Sequence, residues 1–127
     1  MLVASDKGYS EPASIRHFLP DGRVEIVTTY RAIGTGTPYG SILLNTCLKP
    51  DMTMKEVAEL GSFIIKYIED NKLDLTVGVG DLKPQIWYMP LDGTRRQLED
   101  KEVDVIQINN DKKLNELMSS ITNFWNQ

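Results

Sequence analysis

The sequence has one cysteine, one histidine and no long apolar run, and each scarcity removes a class of function. Cys47 alone cannot form an intrachain disulfide, and with His17 as the only histidine there is no ligand cluster for zinc. A two-histidine metal site is excluded on the same count. No apolar stretch reaches the ~18 residues of a membrane-spanning helix, and "MLVAS" at the start lacks the basic-then-apolar order of a signal peptide. Positive charge is also short: 14 Lys and Arg stand against 18 Asp and Glu, a net charge of −4 that opposes a phosphate backbone. No basic run exceeds two residues, and the pair Arg95–Arg96 reads as solvated loop. The expectation is a soluble, cytoplasmic chain with no cofactor, no nucleic-acid partner and no membrane partner.

What is present is ordinary globular material. With 127 residues, 41% hydrophobic and 25% charged, and without repeats, the chain reads as one domain. At this length roughly two-thirds of the unfolded surface can be buried. "MLVAS" reads as a strand, and "DKGYSEP" as a turn-rich loop. "SIRHFL" and "RVEIVTTY" flank "PDG", where Pro20 sets φ and Gly22 accepts a positive one, so a β-hairpin is predicted. Val24, Ile26, Thr28 and Tyr30 alternate with Arg23, Glu25, Val27 and Thr29, a period of two with the first set as the more apolar face.

Helical signals follow. Thr37 is placed to cap a helix with Pro38 in its first position, carrying Ile42, Leu43, Leu44, Cys47 and Leu48 and stopping before Pro50. "TMKE", Thr53 to Glu56, is a capping box. The helix it opens places Val57, Leu60, Gly61, Ile64 and Ile68 in one stripe, widened by Ala58, Phe63 and Ile65, and should end near Asn71. A strand through Ile86, Trp87 and Tyr88 lies between Pro84 and Pro90, which make it irregular or an edge, and "PLDG" turns it back. "VDVIQI" reads as a further strand, with "NND" capping a last helix that carries Leu114, Leu117, Met118, Ile121, Phe124 and Trp125. Strands and helices in separate blocks predict an α+β layered domain.

Chemistry-bearing residues are few. His17 alternates with Ile15 and Leu19 and reads as structural; Trp87 and Trp125 read as core or interface anchors; "EDKEVD" reads as an acidic surface segment. The stretch "RAIGTGTPYGSIL" remains, with Gly34, Gly36, Gly40 and Pro38 between a strand and a helix. A strand-to-helix turn rich in glycine can point backbone N–H groups at an anion. "GTGTPYG" lacks the Gly-Lys-Ser/Thr end of a P-loop, and no acidic strand end follows as a dinucleotide site requires. The glycines can equally serve close packing of a strand end into a helix.

A third reading comes from "AIGTGTPYGSILL", "MTMKEVAELGSFIIKYIEDNKLD" and "VGVGDLKPQIWYMPLDG" in that order. This resembles the C-terminal half of proteasome-type subunits, the threonine-protease branch of the N-terminal-nucleophile (Ntn) hydrolases, over about residues 2 to 93. The resemblance implies part of a four-layer α/β/β/α sandwich. It places Thr35 where the family has a serine that orders the nucleophile's amine, and Asp74 at the acid of an Asp-x-x-Ser segment whose serine is here Val77. In active members the nucleophile is an N-terminal threonine whose own amine is the base. Met1, Leu2, Val3 and Ala4 supply none, so no catalytic residue is expected in this chain. What the resemblance implies is a non-catalytic structural or assembly subunit, forming a homo-oligomer or joining a related proteasome-type subunit. Two alternatives stay open: the C-terminal portion of an active threonine peptidase completed by another chain, and a small anion- or nucleotide-binding module built on the 34–40 turn.

Overall fold

The computed structural model describes residues 1–5, 14–90 and 94–126, the side chains of residues 3–5 excepted. Two expected turns, "DKGYSEP" and the "LDG" of "PLDG", lie outside the described residues. Among the described ones the fold is α+β, with three helices and two small antiparallel sheets. Strands β1 (Leu2–Ser5), β2 (Ser14–Phe18) and β3 (Val24–Val27) form the first sheet in that order. Helices α1 (Thr37–Cys47) and α2 (Met54–Asp70) follow. Strands β4 (Trp87–Tyr88) and β5 (Arg96–Gln97) pair as the second sheet, and α3 (Asp100–Trp125) closes the chain.

The β2–β3 hairpin forms as its turn residues dictate. Gly22 has φ +88°, and its amide and the Leu19 amide close the turn onto Leu19 and Arg23 carbonyls at 3.0 and 2.9 Å. The buried face is the opposite of the one expected. Val27 pairs with Ile15 and is buried, whereas Ile26 pairs with Arg16 and is 68% exposed. Val24 and its partner Phe18 are exposed on that same outer side. Parity along a strand tells which residues share a face, but the neighbouring layer decides which face is covered. Here Ile15 lines a groove with Met54 and Val57 of α2 and with Trp87, so the Ile15–Val27 side is the one turned inward.

Helix α2 opens as a capping box: the Thr53 hydroxyl accepts from the Glu56 amide at 3.2 Å, and the Glu56 carboxylate accepts from the Thr53 amide at 2.7 Å. It ends with Asn71 as its cap, burying Ile64 and Ile68. Helix α1 begins one residue earlier than expected. Gly36 is the cap, and Thr37 instead donates its hydroxyl and amide to the Gly34 carbonyl at 2.6 and 3.2 Å.

The largest correction concerns "VDVIQI", which is helical. Val103, Ile106, Asn110 and Leu114 are buried, while Val105 and Ile108 face solvent, a pattern that fits a helix and not a strand. The apolar residues satisfy both periods over six positions; packing against Ala58 and Tyr88 decides, and the residues at the helix start agree with it. The Glu102 carboxylate accepts from the Glu99 amide at 2.8 Å, and Asp100 and Glu102 lie in the first turn, where the helix dipole favours them. Asn110 of "NND" is therefore not a cap. It is 1% exposed and donates from Nδ2 to the Glu59 carbonyl at 3.1 Å, tying α3 to α2. Leu98, Val103 and Ile106 form the core cluster, with Ala58, Ile86 and Tyr88 packed against it. Trp87 and Trp125 are both exposed, which removes the core reading for either. Arg96 is not free loop: it forms a two-pronged pair with Glu102 at 2.8 and 3.0 Å and lies over the Tyr88 ring.

Two outcomes follow. Ile68→Ala should cost about 2–5 kcal/mol in urea unfolding, as a buried aliphatic truncation does, whereas Val57→Ala on the exposed side of α2 should cost well under that. The second concerns pH. The Arg96 guanidinium, with the Glu99 amide, holds Glu102 down at about 2 against an ordinary 4.5. A depressed carboxylate adds stability above its unfolded value and loses it as pH falls through the folded one. Glu102→Gln should therefore flatten part of the stability loss between about pH 4.5 and 2 while destabilising at neutral pH.

Candidate functional site

The structure brings together the two site residues expected in this chain. Thr35 in the glycine turn and Asp74 after α2 are joined through a third residue, Thr76. The Thr76 hydroxyl donates to Asp74 Oδ1 at 2.6 Å, and the Thr76 amide donates to the same oxygen at 2.9 Å. Thr35 Oγ1 lies 2.6 Å from Thr76 Oγ1. Because Thr76 spends its one hydrogen on Asp74, Thr35 is the donor in that contact. The chain of bonds runs Thr35 to Thr76 to Asp74, and it leaves the Thr35 oxygen able to accept one further hydrogen bond at an exposed position.

Local sequence accounts for the arrangement. Asp74 forms an Asx-type turn with the amide two residues on, and the Val77 amide closes on the Asp74 carbonyl at 3.2 Å. Gly34 has φ +98°, a backbone conformation that lets the chain reverse between strand and helix. Gly36 is required for a different reason: a Cβ there would come 2.7 Å from Val77 Cγ2 and 3.7 Å from Ile68 Cδ1. Val77, read from the sequence as a lost serine, is thus the apolar surface on which the glycine turn rests. Gly40 is buried against Ala32. Beneath the site, the Glu69 carboxylate accepts from the Val79 and Gly80 amides at 3.3 and 2.9 Å and holds the following loop to α2.

Thr76 is the residue that reading by resemblance passed over. Its signal was available in "DLT", since Asp followed two residues later by Thr is a turn pattern that brings a hydroxyl to the carboxylate. The electrostatics limit what the chain of bonds can do. The Thr76 hydroxyl, and then its amide, hold Asp74 below its ordinary value, so it is ionised and weakly basic at neutral pH. It orients two hydroxyls; it is poorly matched to removing a proton from one. An anion is also poorly served: the Asp74 charge lies two hydrogen bonds from the turn, and Val77 fills the space beside Gly36. His17 lies apart on β2, paired across the sheet with Leu2 and Glu25. Among the described residues, no group of three or more His, Cys, Asp or Glu is placed to hold a metal ion.

Comparison with known proteins adds no assignment to this geometry: no family model matches the chain, and no curated protein is significantly similar to it.

The site generates a coupled prediction. Gly36→Ala should lower unfolding stability by about 1 kcal/mol or more. Adding Val77→Ala should make the pair cost less than the sum of the single losses, because the colliding methyl is gone. Thr76→Val should cost about 0.5–1.5 kcal/mol by breaking both side-chain bonds of the chain. Equilibrium urea unfolding reads the two single variants, the pair and Thr76→Val against the wild type. Strict additivity of Gly36→Ala and Val77→Ala would contradict the packing account.

Proposed function

We propose that this protein is a non-catalytic assembly subunit, proteasome-like in plan, that works as self-associated copies. The observation that carries the reading is its surface. Large apolar side chains stand exposed on several of its elements. Phe18, Val24 and Ile26 are exposed on the outer side of the first sheet, Trp87 and Met89 beside the second sheet, and Phe124 and Trp125 at the end of α3. Exposed apolar surface of this sort marks an interaction face. The proteasome-like element rests on the resemblance, and on a strand, glycine turn, α1, α2 and β4 following one another in the order it implies. The non-catalytic element is supported by Asp74, whose Oδ1 is taken up by the Thr76 hydroxyl and amide, which hold its carboxyl below the ordinary value. No helix among the described residues is long and apolar enough to cross a membrane.

One observation favours a second reading. The exposed Thr35 oxygen keeps acceptor capacity, as a residue ordering an amine supplied by another chain would need. That is the expectation for the C-terminal portion of a threonine peptidase.

Native mass spectrometry at micromolar concentration tests the first reading, which expects a dimer or larger; a lone monomer overturns it. Probes that trap N-terminal threonine nucleophiles separate the two. The purified chain should remain unlabelled and cleave no fluorogenic peptide. Labelling and cleavage that appear on adding a second chain, and vanish with Thr35→Val, would replace the first reading with the second.

A further inference from the structure

Helix α3 is longer than the helix it packs on. Its 26 residues span about 39 Å, against about 26 Å for the 17 residues of α2. Its buried positions end at Leu114, and residues 115–126 are all exposed. The apolar spacing nevertheless continues. Leu114, Leu117, Ile121 and Phe124 follow at intervals of three, four and three residues, the repeat of a helix-pairing seam, with Met118 and Trp125 alongside. Burial of the N-terminal part of α3 explains Val103 to Leu114; nothing within the described chain covers the rest.

Area and charge indicate what would cover it. Leu117, Met118, Ile121, Phe124 and Trp125 are 39, 37, 40, 68 and 78% exposed. With about 200 Å² to a side chain of this size, they leave about 500 Å² to be buried. Two such stripes facing each other bury about 1,000 Å², the lower bound for a specific interface. The segment from Leu117 to Gln127 contains no charged residue, although the whole chain carries −4. Identical copies repel through their net charge, and this is the stretch on which they can meet without opposed like charges. An oppositely charged partner would find nothing to select here. A membrane surface selects a basic polar face, and the polar residues of this segment are Ser119, Ser120, Thr122, Asn123, Asn126 and Gln127. A second copy fits, because one stripe can face itself about a two-fold axis.

We infer that residues 117–125 of α3 pack against the same segment of a second copy, forming a two-fold helix pair; this rests on the self-association reading and names its interface. Phe124 and Trp125, edge to face at 5.5 Å, form the aromatic end of the seam. Sedimentation velocity across a concentration series tests it on wild type, Ile121→Glu and Ile42→Glu. Both positions are exposed, and circular dichroism checks that each variant retains its helix. The expected result is a wild-type dimer and an Ile121→Glu dissociation constant raised at least about 30-fold, the scale of a central interface residue. Ile42→Glu, on the outer side of α1, should stay within a few-fold of wild type. Self-association unaffected by Ile121→Glu, or weakened equally by Ile42→Glu, overturns the helix pair while leaving the self-association reading standing. A wild type that stays monomeric throughout overturns both. A monomer that instead binds phosphatidylcholine–phosphatidylserine vesicles through Trp125 replaces the second copy with a lipid surface.

Discussion

Ile68 of α2 lies beside Gly36 and Val77 at the glycine junction, and Glu59 on the same helix accepts a hydrogen bond from buried Asn110 of α3. One helix is therefore held at both ends, and the site and the third helix both take their positions from it. Lys66 reinforces the arrangement between Asp70 of its own helix at 3.0 Å and Asp111 of α3 at 3.1 Å. Those exposed pairs add little in water. The apolar burial of Ile64 and Ile68 and the Asn110 bond carry more. An amide buried between two helices costs stability if unpaired, so it selects the one register in which Glu59 meets it.

The parts of the fold that were legible are those set by local stereochemistry. The capping box at Thr53, the hairpin at Pro20–Gly22 and the stop before Pro50 each depend on residues within four positions of one another. What failed depended on distant neighbours. Val103 to Ile108 satisfies a strand period and a helix period alike, and only packing on α2 and β4 favours the helix. Asn110 reads as a cap because Asn is common there, yet its role is set by a carbonyl 51 residues away. The hairpin's buried face was inverted for the same reason: Ile26 is the stronger apolar residue, but Val27 is the one that is buried.

The site was partly legible. The glycine turn was read from the residues themselves and Thr35 and Asp74 from the resemblance; the structure places Thr35 and Asp74 on one chain of hydrogen bonds. Thr76 was not legible by resemblance, which expects the hydroxyl at the position of Val77. The hydroxyl sits one residue earlier, and the valine supports the turn instead. Chemistry and packing thus divide the segment between neighbouring residues.

One copy of the chain leaves its exposed apolar side chains without cover, and self-association supplies that cover. Association that favours the folded state over the unfolded one makes the melting temperature rise with protein concentration. The direct measurement is thermal unfolding of the intact chain across a range from about 1 to about 100 µM. A self-associating chain should show a melting temperature that climbs steadily over that range. A value that does not move with concentration, from a species of one-chain mass, would contradict self-association.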